Sequence, residues 1–172
     1  IPSTWLWDFG NGNTSNLKNP TAIYTNPGLY DVSLTVTDII SSNTKTEHGL
    51  IKVFEDPLVE LQVLGITTGC TPLLVNFLDI SQLSVPISTW QWDFGDGGSS
   101  SIQHPTYEYF NEGIFSVSLS VIDVNGCQGI TTIQNVINVT EQPVAEFDAN
   151  MTFSCSPSET IMFHNTSVGS TS

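Results

Sequence analysis

Basic residues are nearly missing from this chain. Three Lys+Arg stand against 17 Asp+Glu over 172 residues, a formal net charge of −14. Phosphate backbones and anionic bilayers are gripped by clustered cations, so this balance excludes nucleic acid and argues against an anionic membrane surface as partner. No apolar run approaches the roughly 20 residues of a membrane span, so no membrane insertion is expected. No signal peptide opens the chain, which begins inside a motif and reads as a window on something longer. The three histidines, His48, His104 and His164, are scattered, and none has a partner at metal-ligand or catalytic spacing. No serine sits in a Gly-x-Ser-x-Gly elbow. These gaps point away from an enzyme.

What the chain does have is a repeat. Trp5-Leu6-Trp7-Asp8-Phe9-Gly10-Asn11-Gly12 returns 85 residues later as Trp90-Gln91-Trp92-Asp93-Phe94-Gly95-Asp96-Gly97. The offset holds without a gap to Asp38 and Asp123, with about half of the paired positions identical. A fixed long period means tandem structural units. Within the motif, Trp90, Trp92 and Phe94 alternate with Gln91 and Asp93. Such a period of two predicts a half-buried strand with its aromatics inward, ended by the glycine-rich turn. Tyr30, Val32, Leu34 and Val36 alternate with polar residues in the same way, as a strand with one wet face does. Hydrophobic residues make up 39% of the chain, enough for packed cores.

The Trp-Asp-Phe-Gly-Asp-Gly motif is followed by His104-Pro105-Thr106-Tyr107-Glu108-Tyr109. A strand from Gly113 to Asp123 comes next. This order resembles the PKD (polycystic kidney disease) domain. The first copy keeps it with Pro20, Tyr24, Gly28, Tyr30, Val32, Leu34, Val36 and Asp38. The resemblance implies an all-β chain of tandem immunoglobulin-like β-sandwiches, each of about 85 residues. It divides the chain into the C-terminal part of one repeat (1–56), a complete repeat (57–142) and the N-terminal part of a third (143–172). Strands are expected at 5–10, 20–25, 29–38 and 48–54, with a polar loop over 39–47. In the complete repeat they are expected at 58–64, 73–78, 89–94, 105–109, 114–123 and 129–139. In the third, Val144–Ala149 and Ile161–Phe163 match the first two strands. Neighbouring copies that complete one another by strand exchange would instead make a head-to-tail filament.

The structural motif residues are Trp5, Trp7, Asp8, Phe9, Gly10 and Tyr30, and in the second copy Trp90, Trp92, Asp93, Phe94, Gly95, Asp96, Gly97 and Phe115. Tyr30 and Phe115 stand where immunoglobulin-like folds place the tyrosine corner, and only Tyr30 has a hydroxyl to bond upstream backbone. Calcium is the one cofactor to weigh. Asp93, Asp96 and Asp123, with Glu108 and Glu112, are its candidate ligands. Their spacing matches no compact calcium loop, Asn11 replaces Asp96 in the first copy, and an exposed turn Asp also serves by accepting from nearby amides. Cys70 and Cys155 hold the same place in successive repeats, and Cys127 follows the Asn125-Gly126 hairpin. Three states stay open: a Cys70–Cys127 disulfide, bridges from each Cys70-type turn to the hairpin of a neighbouring repeat, or free thiols.

The function expected is non-enzymatic: a stalk or adhesive segment of a large secreted or cell-surface protein. The cysteine and Asn-Gly-Cys pattern is similar to that of surface adhesins of gliding bacteria with type IX secretion. Expected partners are neighbouring repeats of the same protein and a surface polysaccharide or protein. Accessory attachment modules of secreted hydrolases are the other class. A line of exposed aromatics would favour them; most aromatics alternate into the core instead, with Tyr107 as one exception.

Overall fold

The computed structural model describes residues 4–83, 85–150 and 160–169. The chain divides into two compact units, Ile1–Asp56 and Pro57–Ser172. All of the described secondary structure is β.

In the first unit, β1 (Thr4–Asp8), β2 (Thr14–Ser15), β3 (Gly28–Thr37) and β4 (Ser42–Val53) form one antiparallel sheet in the order β2-β1-β3-β4. Trp5 pairs with Val36 and Trp7 with Leu34, so the aromatics of β1 and the aliphatics of β3 share a face. β4 starts earlier than the polar stretch suggested. Asp38 accepts from the amides of Ile40 (2.8 Å) and Ser41 (2.8 Å) and closes the hairpin at once. Serine and threonine then pair across the wet face, as where the Thr35 and Thr44 hydroxyls meet at 2.7 Å. Polar composition here marks a strand with an outer face, not a loop. No strand forms over 20–25.

The second unit contains β5 (Leu61–Leu64), β6 (Thr68–Cys70), β7 (Leu73–Asp79), β8 (Ile87–Asp93), β9 (Ser99–Ser100), β10 (Thr106–Tyr109), β11 (Gly113–Asp123), β12 (Gln128–Thr140), β13 (Phe147–Ala149) and β14 (Phe163–Asn165). One sheet runs β10-β7-β5 and the other β6-β12-β11-β8-β9. Their inner faces meet in a single core. Val75 and Phe77 come from the first sheet, and Trp92, Val117, Leu119 and Ile137 from the second. Phe77 lies 5.7 Å from Trp92 and 5.1 Å from Phe94, tilted in both cases, the geometry that ring quadrupoles favour. β10 exists because it has β7 to pair with. Residues 20–25 have no such neighbour among the described residues, which explains the missing strand.

β13 and β14 pair antiparallel. The Ser81 hydroxyl is bonded to Glu60 by its amide (3.0 Å) and its carbonyl (3.3 Å). Ser167 repeats this with Glu146 at 2.9 and 3.1 Å. The same backbone tie fixes the correspondence: Phe163 stands where Phe77 does, and Asn165 where Asp79 does.

Candidate functional site

The motif's carboxylates are spent on the turn that follows β8. Asp93 accepts from the Gly95 amide at 2.9 Å, and Asp8 from the Gly10 amide at 2.9 Å. Gly95 has φ +85°, and an added Cβ would collide with the Ser116 carbonyl. Gly10, at φ +73°, meets the Asp31 carbonyl in the same way. Only glycine fits there. One residue further on the copies diverge together. Asp96 accepts from the Gly98 amide (2.9 Å) and from the Tyr107 hydroxyl, 3.0 Å from each carboxylate oxygen. Where the first unit has Ala22 instead of tyrosine, it has Asn11 instead of aspartate. The Asn11 amide group donates to the Ile23 carbonyl at 3.0 Å and its oxygen accepts from Asn13. Tyr107 is no surface aromatic: its ring stacks on Phe94 at 3.9 Å between centroids. Burial, then the hydrogen bond to Asp96, raises its pKa.

A second tie was not foreseen. Tyr109 is fully buried and donates to the Phe94 carbonyl at 3.1 Å, and Tyr24 donates to that of Phe9 at 3.1 Å. Both tyrosines alternate correctly in the sequence and are identical between copies, so that signal was available. Tyr30 donates to the Asn26 carbonyl at 2.7 Å, while Phe115 stacks on Tyr109 at 5.1 Å.

The calcium candidates do not converge. Asp93 pairs with Ser118, and Asp123 pairs with Ile87 at the other end of β8. Six residues of strand separate the two ends, about 20 Å. Asp123 is 2% exposed and accepts from the amides of Asn125 (2.8 Å) and Cys127 (3.0 Å). Among the described residues, no three His, Cys, Asp or Glu side chains lie close enough to hold a metal ion. The histidines each meet a different local partner. His48 Nδ1 contacts Asp31 at 2.7 Å, His104 Nδ1 accepts from the Asp79 amide at 3.2 Å, and His164 lies 3.8 Å from Asp148.

Cys70 is a free, exposed thiol on β6, beside Thr140 at the end of β12. Cys127 lies before the other end of that 13-residue strand, about 40 Å along the ladder. That is far beyond the roughly 7 Å between Cα atoms a disulfide requires, so the two do not pair. Cys155 lies outside the described residues.

One cleft opens beside the motif. It holds about 300 Å³ and is lined by Asp79, Trp90 and Gln103 together with Leu83, Val85, Pro86 and Ile87. The Asp79 carboxylate, 8% exposed, accepts from the Trp90 indole at 2.8 Å and the Gln103 amide at 3.3 Å. Its other oxygen accepts from the Ser81 amide at 3.0 Å. Burial works against its ionisation, but the bonds from Ser81, Trp90 and Gln103 outweigh it and hold the carboxyl below the usual range.

The family model for the PKD domain matches residues 2–53 and 55–139. The chain belongs to the PKD domain family. The microbial collagenase of Vibrio alginolyticus is 49% identical over 47 residues, which is 27% of this chain and 6% of that protein. The pre-pro-metalloprotease PrtV of Vibrio cholerae is 50% identical over 50 residues, 29% of this chain and 5% of that protein. The chain thus matches a small fraction of each relative's length. The PKD1 domain of Vibrio anguillarum Epp, a solved structure, is 27% identical over 49% of this chain and 96% of that one, with a TM-score of 0.43. The resemblance to adhesins of gliding bacteria finds no support in these relatives.

Proposed function

We propose that this PKD segment is a non-catalytic spacer in an extracellular protein. The observation that carries this reading is where the polar groups of the family motif go. Asp93, Asp96 and Asp123 all accept from turn amides or tyrosine, and so serve the fold itself. The scarcity of lysine suits an extracellular setting. A second reading is attachment of a hydrolase to its insoluble substrate. It is favoured by the collagenase and metalloprotease relatives. Co-sedimentation with fibrillar collagen, and with chitin, separates the two. A spacer stays in the supernatant with both; pelleting with either one replaces the spacer reading with the attachment reading.

A further inference from the structure

We propose that the cleft between Asp79, Trp90 and Gln103 receives a lysine or arginine side chain from a basic protein segment. This goes beyond the spacer role and does not rest on it. The argument starts from charge. All three basic residues, Lys18, Lys45 and Lys52, lie in the first unit, and residues 57–172 contain neither Lys nor Arg. The groups that hold the Asp79 carboxylate are all neutral: the Trp90 indole, the Gln103 amide, and the Ser81 backbone amide and side chain; a cation reaching it would add the counter-charge that buried acids usually have. The nearby His104 presents Nδ1 as an acceptor to the Asp79 amide.

The chain itself shows what fits the place. Trp5 is the counterpart of Trp90, and Lys18 that of Gln103 at the same 85-residue offset. In the first unit the Lys18 ammonium sits 5.9 Å from the centroid of the Trp5 ring. An ammonium beside this tryptophan is therefore a geometry the scaffold already builds. In the second unit the counterpart residue is the shorter, neutral Gln103, and it lines a cleft of about 300 Å³. Its walls suit both parts of a long cationic side chain. Leu83, Val85 and Pro86 line it for the aliphatic stem, and Asp79 and Trp90 line it for the charge. Lysine and arginine bury their stems along apolar surface in this way, and a cation near an indole face is attracted by the ring.

The test is a titration of the whole chain with Nα-acetyl-lysine methylamide, followed by the NMR resonance of the Trp90 indole N–H. The norleucine analogue, with a similar stem and no ammonium, is the control. A saturable shift with the lysine compound alone is expected. Gln103→Lys should abolish it, because the chain then fills its own cleft as Lys18 does. Asp79→Asn should weaken binding by about tenfold or more, the effect of losing one charged hydrogen-bonding partner. Asn165 already occupies the matching position in β14 and accepts from the Ser167 amide at 2.9 Å, so asparagine is compatible with this backbone. Absence of a saturable shift, an equal shift with the norleucine compound, or undiminished binding in Gln103→Lys would each overturn the proposal.

Discussion

Trp92 and Trp7 are the same residue in the same motif, yet their surroundings differ. Trp92 is fully buried under Phe77; Trp7 is half-buried. Truncating a fully buried tryptophan costs about 3–5 kcal/mol. Trp92→Ala should therefore lower the stability of the second unit by that amount, and Trp7→Ala should cost the first unit clearly less. Chemical denaturation followed unit by unit measures both, and equal losses would contradict the packing difference. Asp79 gives a pH dependence at the same scale. Its carboxyl is held below its ordinary value of 3.8. A depressed acid contributes stability that is complete above the unfolded value and is lost as pH falls through the folded one. The stability gap between the wild type and Asp79→Asn should thus be constant above about pH 4 and shrink below it. Urea midpoints measured from pH 6 down to 2 report this; a gap that widens in acid would reverse the assignment.

At the scale of elements, the turn after β8 is the most constrained feature. Gly95→Ala adds a Cβ against the Ser116 carbonyl at a positive φ. A loss of about 2–4 kcal/mol is expected, read as a lowered melting temperature of the second unit. Because the nearby acids are already bonded within their turns, neither millimolar calcium nor EDTA should move that temperature; a rise with calcium would show an ion site. The strands that carry the core were legible in the sequence, since Trp90, Trp92 and Phe94 can alternate only one way against a hydrophobic layer. What could not be read were elements defined by their neighbours. β6 is three residues of Thr-Gly-Cys with no hydrophobic period, and it is a strand only because β12 lies beside it. Residues 20–25 carry the composition of β10 without its partner. The Asp79–Trp90 bond was hidden because an aspartate ending a strand usually reads as solvated. Its echo, Phe163-His164-Asn165-Thr166-Ser167 against Phe77-Leu78-Asp79-Ile80-Ser81, was the signal that could have found it.

Across the whole molecule, two units built from one pattern should open differently. The counterparts Leu34 and Leu119, and Val36 and Val121, are half-buried in the first unit and buried in the second. Amide exchange is slowest where opening exposes the most packed surface. The amides of β11 should therefore exchange more slowly than those of β3 in the same sample, by hydrogen–deuterium exchange. Similar protection would mean that the first unit is as firmly closed as the second.

The parallel pairing of β6 with β12 has a mechanical meaning. β6 lies near the start of the complete repeat and β12 at its end, joined by bonds such as Asn138 N–H to the Thr67 carbonyl (2.8 Å) and Thr71 N–H to the Thr140 carbonyl (2.9 Å). Tension on the two ends drags these strands in opposite directions along their common axis. Their hydrogen bonds are then loaded in shear, all at once, rather than peeled one after another. A repeat wired in this way holds under pull until the whole ladder gives.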